Sequence, residues 1–166
     1  MKNIRKLTRI PITKSGFDSL LTEQRELKEK RKTAVINLKT ARDMGDLSEN
    51  GLYKGARFAL NGIDGRLRQL DIQIKLADIQ SSEKGIVGLG SGVVIFNGQR
   101  STEYQIVGTY EADPLNLKIS VSSPLGKILI GRVEGDEVYL LTPKGKKEYK
   151  IKKILWYKLF KKFKFI

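Results

Sequence analysis

Two stretches of the chain repeat mostly apolar residues at alternating intervals of three and four positions, and this pattern limits the possible folds more than any other feature. The first stretch has the repeat at Phe17, Leu20, Gln24, Leu27, Arg31, Ala34, Leu38 and Ala41. The second has it at Tyr53, Ala56, Leu60, Ile63, Leu67, Leu70, Ile74 and Ala77. A sustained seven-residue repeat predicts two helices that each bury one narrow stripe. Because few residues join them, the helices are expected to pack antiparallel.

The residues between the two helices, 43–53, form the tip of this predicted hairpin. With about 28 residues in each arm, the hairpin would be roughly 40 Å long. The tip carries two carboxylates, Asp46 and Glu49. One interpretation is a capping box, in which Asp46 is the N-cap of the second helix and Glu49 its third residue. The other is a pair of oxygen ligands for a magnesium ion shared with a partner protein. The two interpretations are compatible, because a cap also fixes where the carboxylates point.

Several residues of the hairpin carry more specific expectations. Gln24 and Arg31 are polar residues on the seam, and they are predicted to fix the register of the two helices at a cost in packing. Thr13 or Ser15 is predicted to cap the first helix. In the second helix, the glycines lower the helix propensity, and Gly55 and Gly62 would let the two arms approach closely.

After a short polar linker, Ser81–Gly85, the apolar period changes from 3.5 to 2 and predicts a β-rich domain. The predicted strands are Val93–Phe96, Glu103–Val107, Lys118–Ser122, Glu137–Leu141 and Tyr149–Ile154. One short helix is predicted over Pro124–Ile130, because proline suits a first helical position and Gly131 suits the stop. The fold class is therefore α+β, with a coiled-coil hairpin over 1–81, a small domain over 82–158 and a basic, aromatic tail over 159–166.

The composition excludes several kinds of chemistry. The chain contains neither cysteine nor histidine, so disulfides, thiolate chemistry and the commonest general base are absent. The isolated acids of the second domain, Glu103, Glu111 and Asp113, are therefore interpreted as surface residues and not as catalysts. Apolar runs long enough to span a membrane are absent, and the basic N-terminus lacks the apolar region of a signal peptide, so a cytoplasmic location is expected.

The net charge of +14 is concentrated at the two ends of the chain. Residues 1–14 include five basic and no acidic side chains, and residues 144–166 include ten basic and one acidic, whereas the span between them is neutral. Basic ends on a neutral body predict weak, nonspecific contact with nucleic acid or anionic surfaces. A lysine-rich proteome is the alternative explanation.

The C-terminal tail has three interpretations. Apolar residues at 156, 159, 160, 163 and 166 have the spacing of an amphipathic helix that could lie on an anionic surface. Alternatively, the chain frays after the last strand, or the tail covers an apolar patch of the second domain. We expect the tail to add nonspecific anionic attraction and to be dispensable for the main activity.

Taken together, these motifs resemble the Gre family of bacterial transcript cleavage factors, nearer GreA than GreB, over about residues 10–157. The resemblance in the hairpin is carried by Pro11–Thr13, Gly16, Ala41, Arg42, Gly45–Asn50, Tyr53 and Arg57. In the second domain it is carried by Tyr104, Ile106–Gly108, Glu111–Asp113, Ile119–Ser120, Ser123–Pro124, Leu129–Gly131 and Gly135–Asp136.

The resemblance implies an N-terminal antiparallel coiled coil and a C-terminal domain similar to FK506-binding proteins. It implies a monomeric factor that binds bacterial RNA polymerase through the secondary channel and is not itself an enzyme. Such a factor stimulates the polymerase's own magnesium-dependent cleavage of backtracked RNA, at the nascent 3′ end. By this resemblance Asp46 and Glu49 are the tip acids, which share Mg²⁺ with the polymerase only in the complex, and the factor has no cofactor of its own. Arg57 would approach RNA phosphate, and Ser123 and Pro124 would contact the polymerase.

The sequence departs from the family pattern at two informative positions. Leu52 stands where the family usually has a third acid at the tip, so metal affinity there is expected to be lower. Lys32 stands where the family usually has a proline in the first helix. The first departure slightly favours an alternative, in which the protein occupies the channel and modulates or inhibits transcription without promoting cleavage. Two further alternatives are a prolyl isomerase and a protein that binds nucleic acid or membrane through its basic ends.

Overall fold

The computed structural model describes residues 9–44, 51–143 and 145–156. Short strand β1 (Ile10–Ile12) leads into helix α1 (Lys14–Asp43), and helix α2 (Gly51–Leu76) leads into short strand β2 (Ala77–Ile79). Five strands and one helix follow: β3 (Ser91–Phe96), β4 (Ser101–Val107), β5 (Lys118–Ser120), α3 (Pro124–Leu129), β6 (Glu137–Thr142) and β7 (Gly145–Trp156). Two 3₁₀ turns, η1 (Thr109–Glu111) and η2 (Pro114–Asn116), lie between β4 and β5.

The α1–α2 hairpin confirms the heptad prediction. Every predicted seam position except Arg31 is buried or half-buried, and the most deeply buried are Ala41 and Leu70. The Gln24 amide donates a 2.6 Å hydrogen bond to Asp71, and Arg31 donates one of 2.6 Å to Asp64. From Gln24 to Arg31 the residue number rises along α1, while the number of the partner on α2 falls from Asp71 to Asp64. The two helices are therefore antiparallel.

The glycines of α2 correct one expectation. A Cβ atom added at Gly55 or Gly62 would meet nothing within 4 Å, and both residues are exposed. These glycines therefore lie on the outer surface of the hairpin and do not bring the arms together. A second expectation is also corrected. The repeat predicts Ala77 as the last seam residue of the second helix, but α2 ends at Leu76 and Ala77 begins β2.

The C-terminal domain is built on a five-stranded sheet in the order β5-β4-β3-β7-β6. Strands β4 and β5 are parallel, and the other neighbours are antiparallel. Its core comprises Val87, Val93, Ile95, Ile106, Leu129, Val138, Ile151 and Ile154. All five predicted strands are present, and α3 ends at Leu129, one residue before its predicted end at Ile130. Gly131, the predicted stop, has a φ of 78°.

The chain divides into two compact units, and the division places two short segments differently from the predicted domains 1–81 and 82–158. One unit is the hairpin, residues 18–76, and the other joins described residues 9–17 to residues 77–156. The reason is that β1 pairs in parallel with β2, with Ile10 opposite Ala77 and Ile12 opposite Ile79. None of the described helices is long and apolar enough to cross a membrane.

Candidate functional site

The hairpin carries the tip at the ends of two long, cross-linked helices. Helix α1 has 30 residues and α2 has 26, so they extend about 45 Å and 39 Å respectively. Seam packing continues almost to the tip, because Ala41 is buried and Tyr53 is half-buried. Asp46 and Glu49 lie outside the described residues, so both the capping box and the magnesium interpretation remain predictions.

Two acids of the hairpin, Glu23 and Asp64, form ion pairs that join α1 to α2. Arg66 donates two hydrogen bonds, of 2.7 and 2.8 Å, to the carboxylate of Glu23. The hydrogen bond from Arg66 lowers the pKa of Glu23, and the one from Arg31 lowers the pKa of Asp64. These carboxylates stay ionised at neutral pH as cross-links between α1 and α2 and not as reactive groups.

Near the tip, the first turns of α2 present both a cation and apolar side chains to solvent. Arg57 is exposed, and its contact with RNA phosphate stays a prediction. Leu52 is 67% exposed, so the acid that the family usually has here would have been accessible to a metal ion. Leucine has no oxygen ligand to offer, which leaves Asp46 and Glu49 as the predicted ligands.

The predicted polymerase-binding residues Ser123 and Pro124 have different surroundings. Ser123 is the N-cap of α3: its Oγ accepts a 3.0 Å hydrogen bond from the Gly126 N–H and donates one of 2.7 Å to the Ser120 carbonyl. Pro124 is exposed at the first helical position. Ser123 therefore positions the start of α3, and the Pro124 ring is the group available to a partner.

Glu111 has a role that the sequence did not reveal. Its Oε2 accepts the backbone N–H groups of Thr13 at 2.9 Å and Gly108 at 3.0 Å, and its Oε1 accepts the Thr13 hydroxyl. The Thr13 oxygen in turn accepts the N–H of Gly16 at 3.0 Å, so Thr13 caps α1, as predicted. Glu111 thus fixes the first turn of α1 to the C-terminal domain.

Two glycines leave the space that this contact requires. A Cβ at Gly16 would lie 2.2 Å from the Glu111 carboxyl carbon, and one at Gly108 would lie 2.5 Å from the Pro11 carbonyl oxygen. Both glycines and Glu111 belong to the motifs that carry the family resemblance. Their spacing in the sequence does not reveal the contact, because Thr13 and Glu111 are 98 positions apart.

Asp113 also has a local structural function. Its carboxylate accepts a 2.6 Å hydrogen bond from the side chain of Asn116 and a 3.2 Å bond from the N–H of Leu115, at the start of η2. The hydrogen bond from Asn116 lowers the pKa of Asp113. Among residues 9–44, 51–143 and 145–156, no group of three or more acidic, histidine or cysteine side chains could hold a metal ion.

Comparison with known proteins gives a family match for each of the two parts of the chain. Residues 10–79 match the family model for the transcription elongation factor N-terminal domain, and residues 82–155 match that for the GreA/GreB C-terminal domain. A transcription elongation factor GreA of Paracoccus denitrificans is 37% identical over 150 residues, which cover 87% of this chain and 96% of the relative. A GreA of Francisella tularensis subsp. novicida is 41% identical over 150 residues, which cover 86% and 94% respectively. Among solved structures, GreA factor homolog 1 of Thermus thermophilus matches with 29% identity and a TM-score of 0.43, over 88% of this chain and 98% of that one.

Proposed function

The chain belongs to the GreA/GreB family of transcription elongation factors, and from this premise we propose that it stimulates the cleavage of backtracked RNA by bacterial RNA polymerase. The factor is not itself the enzyme in this proposal. It enters the secondary channel of the polymerase with its hairpin and delivers the carboxylates of Asp46 and Glu49 to the polymerase active site.

The observation that carries the proposal is the cross-linked hairpin. Polar contacts such as Arg31–Asp64 and Gln24–Asp71 fix the register of two helices about 40 Å long. A rigid rod of this length can place the six residues Gly45–Asn50 inside a narrow channel. A loop that carried the same two acids without such support could not hold them in a defined place.

The proposed chemistry depends on oxygen ligands at the tip. The donor set of Asp46 and Glu49 fits Mg²⁺, because this ion is usually held by one or two carboxylates together with groups of its substrate. The bound ion would stabilise the charge that develops during phosphodiester cleavage. The role of this chain is to position the two carboxylates, while the polymerase contributes the catalytic groups. Arg57, exposed on α2, would pair with a phosphate of the RNA.

The C-terminal domain is proposed to hold the factor on the polymerase. Pro124 offers an exposed, rigid ring at the start of α3, and the hydrogen bonds of Ser123 keep that ring in place. In this arrangement the C-terminal domain supplies affinity, and the tip supplies the carboxylates.

The test uses stalled, backtracked complexes of the cognate polymerase with Mg²⁺ and the full-length protein. The Asp46→Asn/Glu49→Gln variant keeps the side-chain shapes but removes both charges. We expect it to lose cleavage by on the order of 100-fold, with unchanged melting and polymerase binding. The matched control, Glu26→Gln/Glu29→Gln, removes two charges with the same spacing from the exposed surface of α1, and it should cleave like the wild type.

Two results would overturn the proposal. Equal cleavage by the tip variant and the wild type would show that the two acids do not carry the activity. Polymerase binding by the wild-type protein without any cleavage would favour the alternative of a channel-binding modulator, for which Leu52 at the tip is the supporting feature.

A further inference from the structure

The outer face of the C-terminal sheet, on the side opposite the core, carries aromatic rings and lysines. The side chains of Val138 and Ile151 point into the core, so their neighbours in the strands point outward. Phe96 of β3 lies opposite Lys150 of β7, and Lys150 lies opposite Glu137 of β6. We call the surface formed by Phe96, Glu137, Tyr139, Leu141, Lys146, Glu148, Lys150 and Lys152 the outer sheet face.

Two of its lysines lie over aromatic rings. The Lys146 Nζ lies 3.7 Å from the centre of the Tyr139 ring, and the Lys152 Nζ lies 5.2 Å from the centre of the Phe96 ring. Lys152 follows the inward-pointing Ile151 and therefore points outward. A β-bulge leaves it without a partner in β3, because Val94 pairs with Lys153 whereas Ile95 pairs with Ile151.

The Tyr139 ring and the three lysines are exposed to solvent, and the Phe96 ring is half-buried. Tyr139 is 45% exposed and Leu141 is 82% exposed. Between the two rings, Lys150 forms a 2.9 Å ion pair with Glu137 in which both side chains are nearly half exposed. An exposed pair of this kind stabilises the fold only weakly, so Lys150 can exchange its partner for another anion.

A groove lies at the edge of the outer sheet face, beside the part of β7 that extends past β3, and its lining includes Lys146 and Lys150 but not Tyr139 or Lys152. It has a volume of about 650 Å³ and lies between the β3–β4 turn, Asn97–Gln99, and residues Lys146–Lys150 of β7, with Phe96 in its wall. Lys150 and Lys152 are two residues apart in the strand, or about 7 Å, which is close to the spacing of phosphates in an extended nucleic-acid strand. Lys146 and Lys150 are four residues apart, or about 13 Å, with Glu148 between them.

We propose that the outer sheet face binds a single strand of nucleic acid, with bases stacked on Phe96 and Tyr139 and phosphates paired with Lys146, Lys150 and Lys152. Aromatic platforms beside lysines are the usual means of binding unpaired strands, because every base has a flat face and every phosphate a charge. An acidic peptide offers charges for the lysines, but it has no flat base that could replace the ammonium groups over the rings of Phe96 and Tyr139. The face therefore favours nucleic acid over an acidic peptide. Glu137 and Glu148 on the same face reduce its positive charge, so stacking must contribute along with charge. This proposal does not depend on the tip acids or on polymerase binding.

The experiment measures binding of full-length protein to fluorescein-labelled twelve-nucleotide oligo(U) and oligo(dT) by fluorescence anisotropy at several salt concentrations. The Lys146→Ala/Lys150→Ala/Lys152→Ala variant should bind at least tenfold more weakly. Its plot of log affinity against log salt should be shallower by about 2, because three phosphate contacts are lost. The control, Lys28→Ala/Lys30→Ala/Lys75→Ala, removes the same charge from exposed positions of the hairpin and should bind within about twofold of the wild type.

A second pair of variants isolates stacking from charge. Tyr139→Ala should weaken binding about tenfold, whereas Tyr139→Phe, which keeps the ring, should bind like the wild type. The two oligonucleotides distinguish RNA from DNA as the source of the strand, and either one supports the proposal.

Three results would overturn the proposal. One is equal weakening by the two triple variants, which would mean that only net charge matters. Another is unchanged binding by both the sheet-face triple variant and Tyr139→Ala. The third is a sheet-face triple variant that loses binding to phosphatidylglycerol-containing vesicles and keeps binding to both oligonucleotides, which would assign the surface to membranes.

Discussion

The contact between Gly16 and Glu111 leaves no space for an additional methyl group. Three hydrogen bonds from Thr13 and Gly108 hold the Glu111 carboxylate in place, so a Cβ at Gly16 can be accommodated only if those bonds break. Gly16→Ala should therefore lower the free energy of unfolding by about 1–3 kcal/mol. Denaturant unfolding followed by fluorescence of Trp156, the only tryptophan, measures the effect in the C-terminal unit, because Trp156 packs against the core of that unit.

The Glu111→Ala background provides the control for this prediction. The three atoms nearest to a Cβ at position 16 all belong to the Glu111 side chain, so in the Glu111→Ala background Gly16→Ala should cost much less. The same cost in both backgrounds would show that the strain arises elsewhere than at Glu111.

Two of the exposed glycines in the interior of α2, Gly55 and Gly62, lower the helix propensity and therefore the stability of the hairpin. Because a Cβ at Gly55 or Gly62 meets only open space, Gly55→Ala and Gly62→Ala should each stabilise the hairpin by about 0.5–1 kcal/mol through helix propensity. Thermal melting followed by circular dichroism at 222 nm measures the gain. A loss of stability in either variant would mean that a side chain at that position has no space.

We expect the two inter-helix ion pairs to make the hairpin modestly sensitive to acid, because partly exposed pairs each contribute little stability. The pKa values of Glu23 and Asp64 are lowered in the folded state, so their contribution to stability is present above the ordinary pKa and is lost as the pH falls through the lowered value. The melting temperature of the hairpin should therefore change little between pH 7 and about pH 5 and fall below about pH 4.

A variant without the two arginine partners tests this origin of the acid sensitivity. In Arg31→Gln/Arg66→Gln, the drop in melting temperature between pH 7 and pH 3 should be smaller than in the wild type. The control is Lys28→Gln/Lys39→Gln, which removes two exposed charges and should keep the full drop. An identical drop in all three proteins would assign the acid sensitivity to other carboxylates.

The C-terminal unit is assembled from both ends of the described chain. Strand β1 pairs with β2, the Gln80 N–H donates to the Ile12 carbonyl, and Glu111 binds Thr13. A fragment of residues 77–157 should therefore be less stable than a protein in which residues 9–17 are joined to 77–157 by a short Gly/Ser linker. Urea unfolding followed by Trp156 fluorescence compares the two, and equal midpoints would show that residues 9–17 add nothing to the unit.

The local features of this fold could be predicted from the sequence because they repeat within a few residues. The heptads specified α1 and α2, alternation specified the five strands of the main sheet, and Pro124 with Gly131 bounded α3. The placement of Asp46 and Glu49 at the tip follows from the same periodicity, although their geometry lies outside the described residues.

Only the tertiary structure decided which distant residues meet. The partner of Glu111 is 98 positions away, β1 and β2 are three residues each, and the pairing of β7 with β3 places Lys150 opposite Phe96. None of these features has a period in the sequence, because each depends on chain segments brought together after the helices and strands have formed. Local patterns therefore specify the helices and strands, whereas packing between remote segments determines which residues Glu111, Gly16 and the β7 lysines contact.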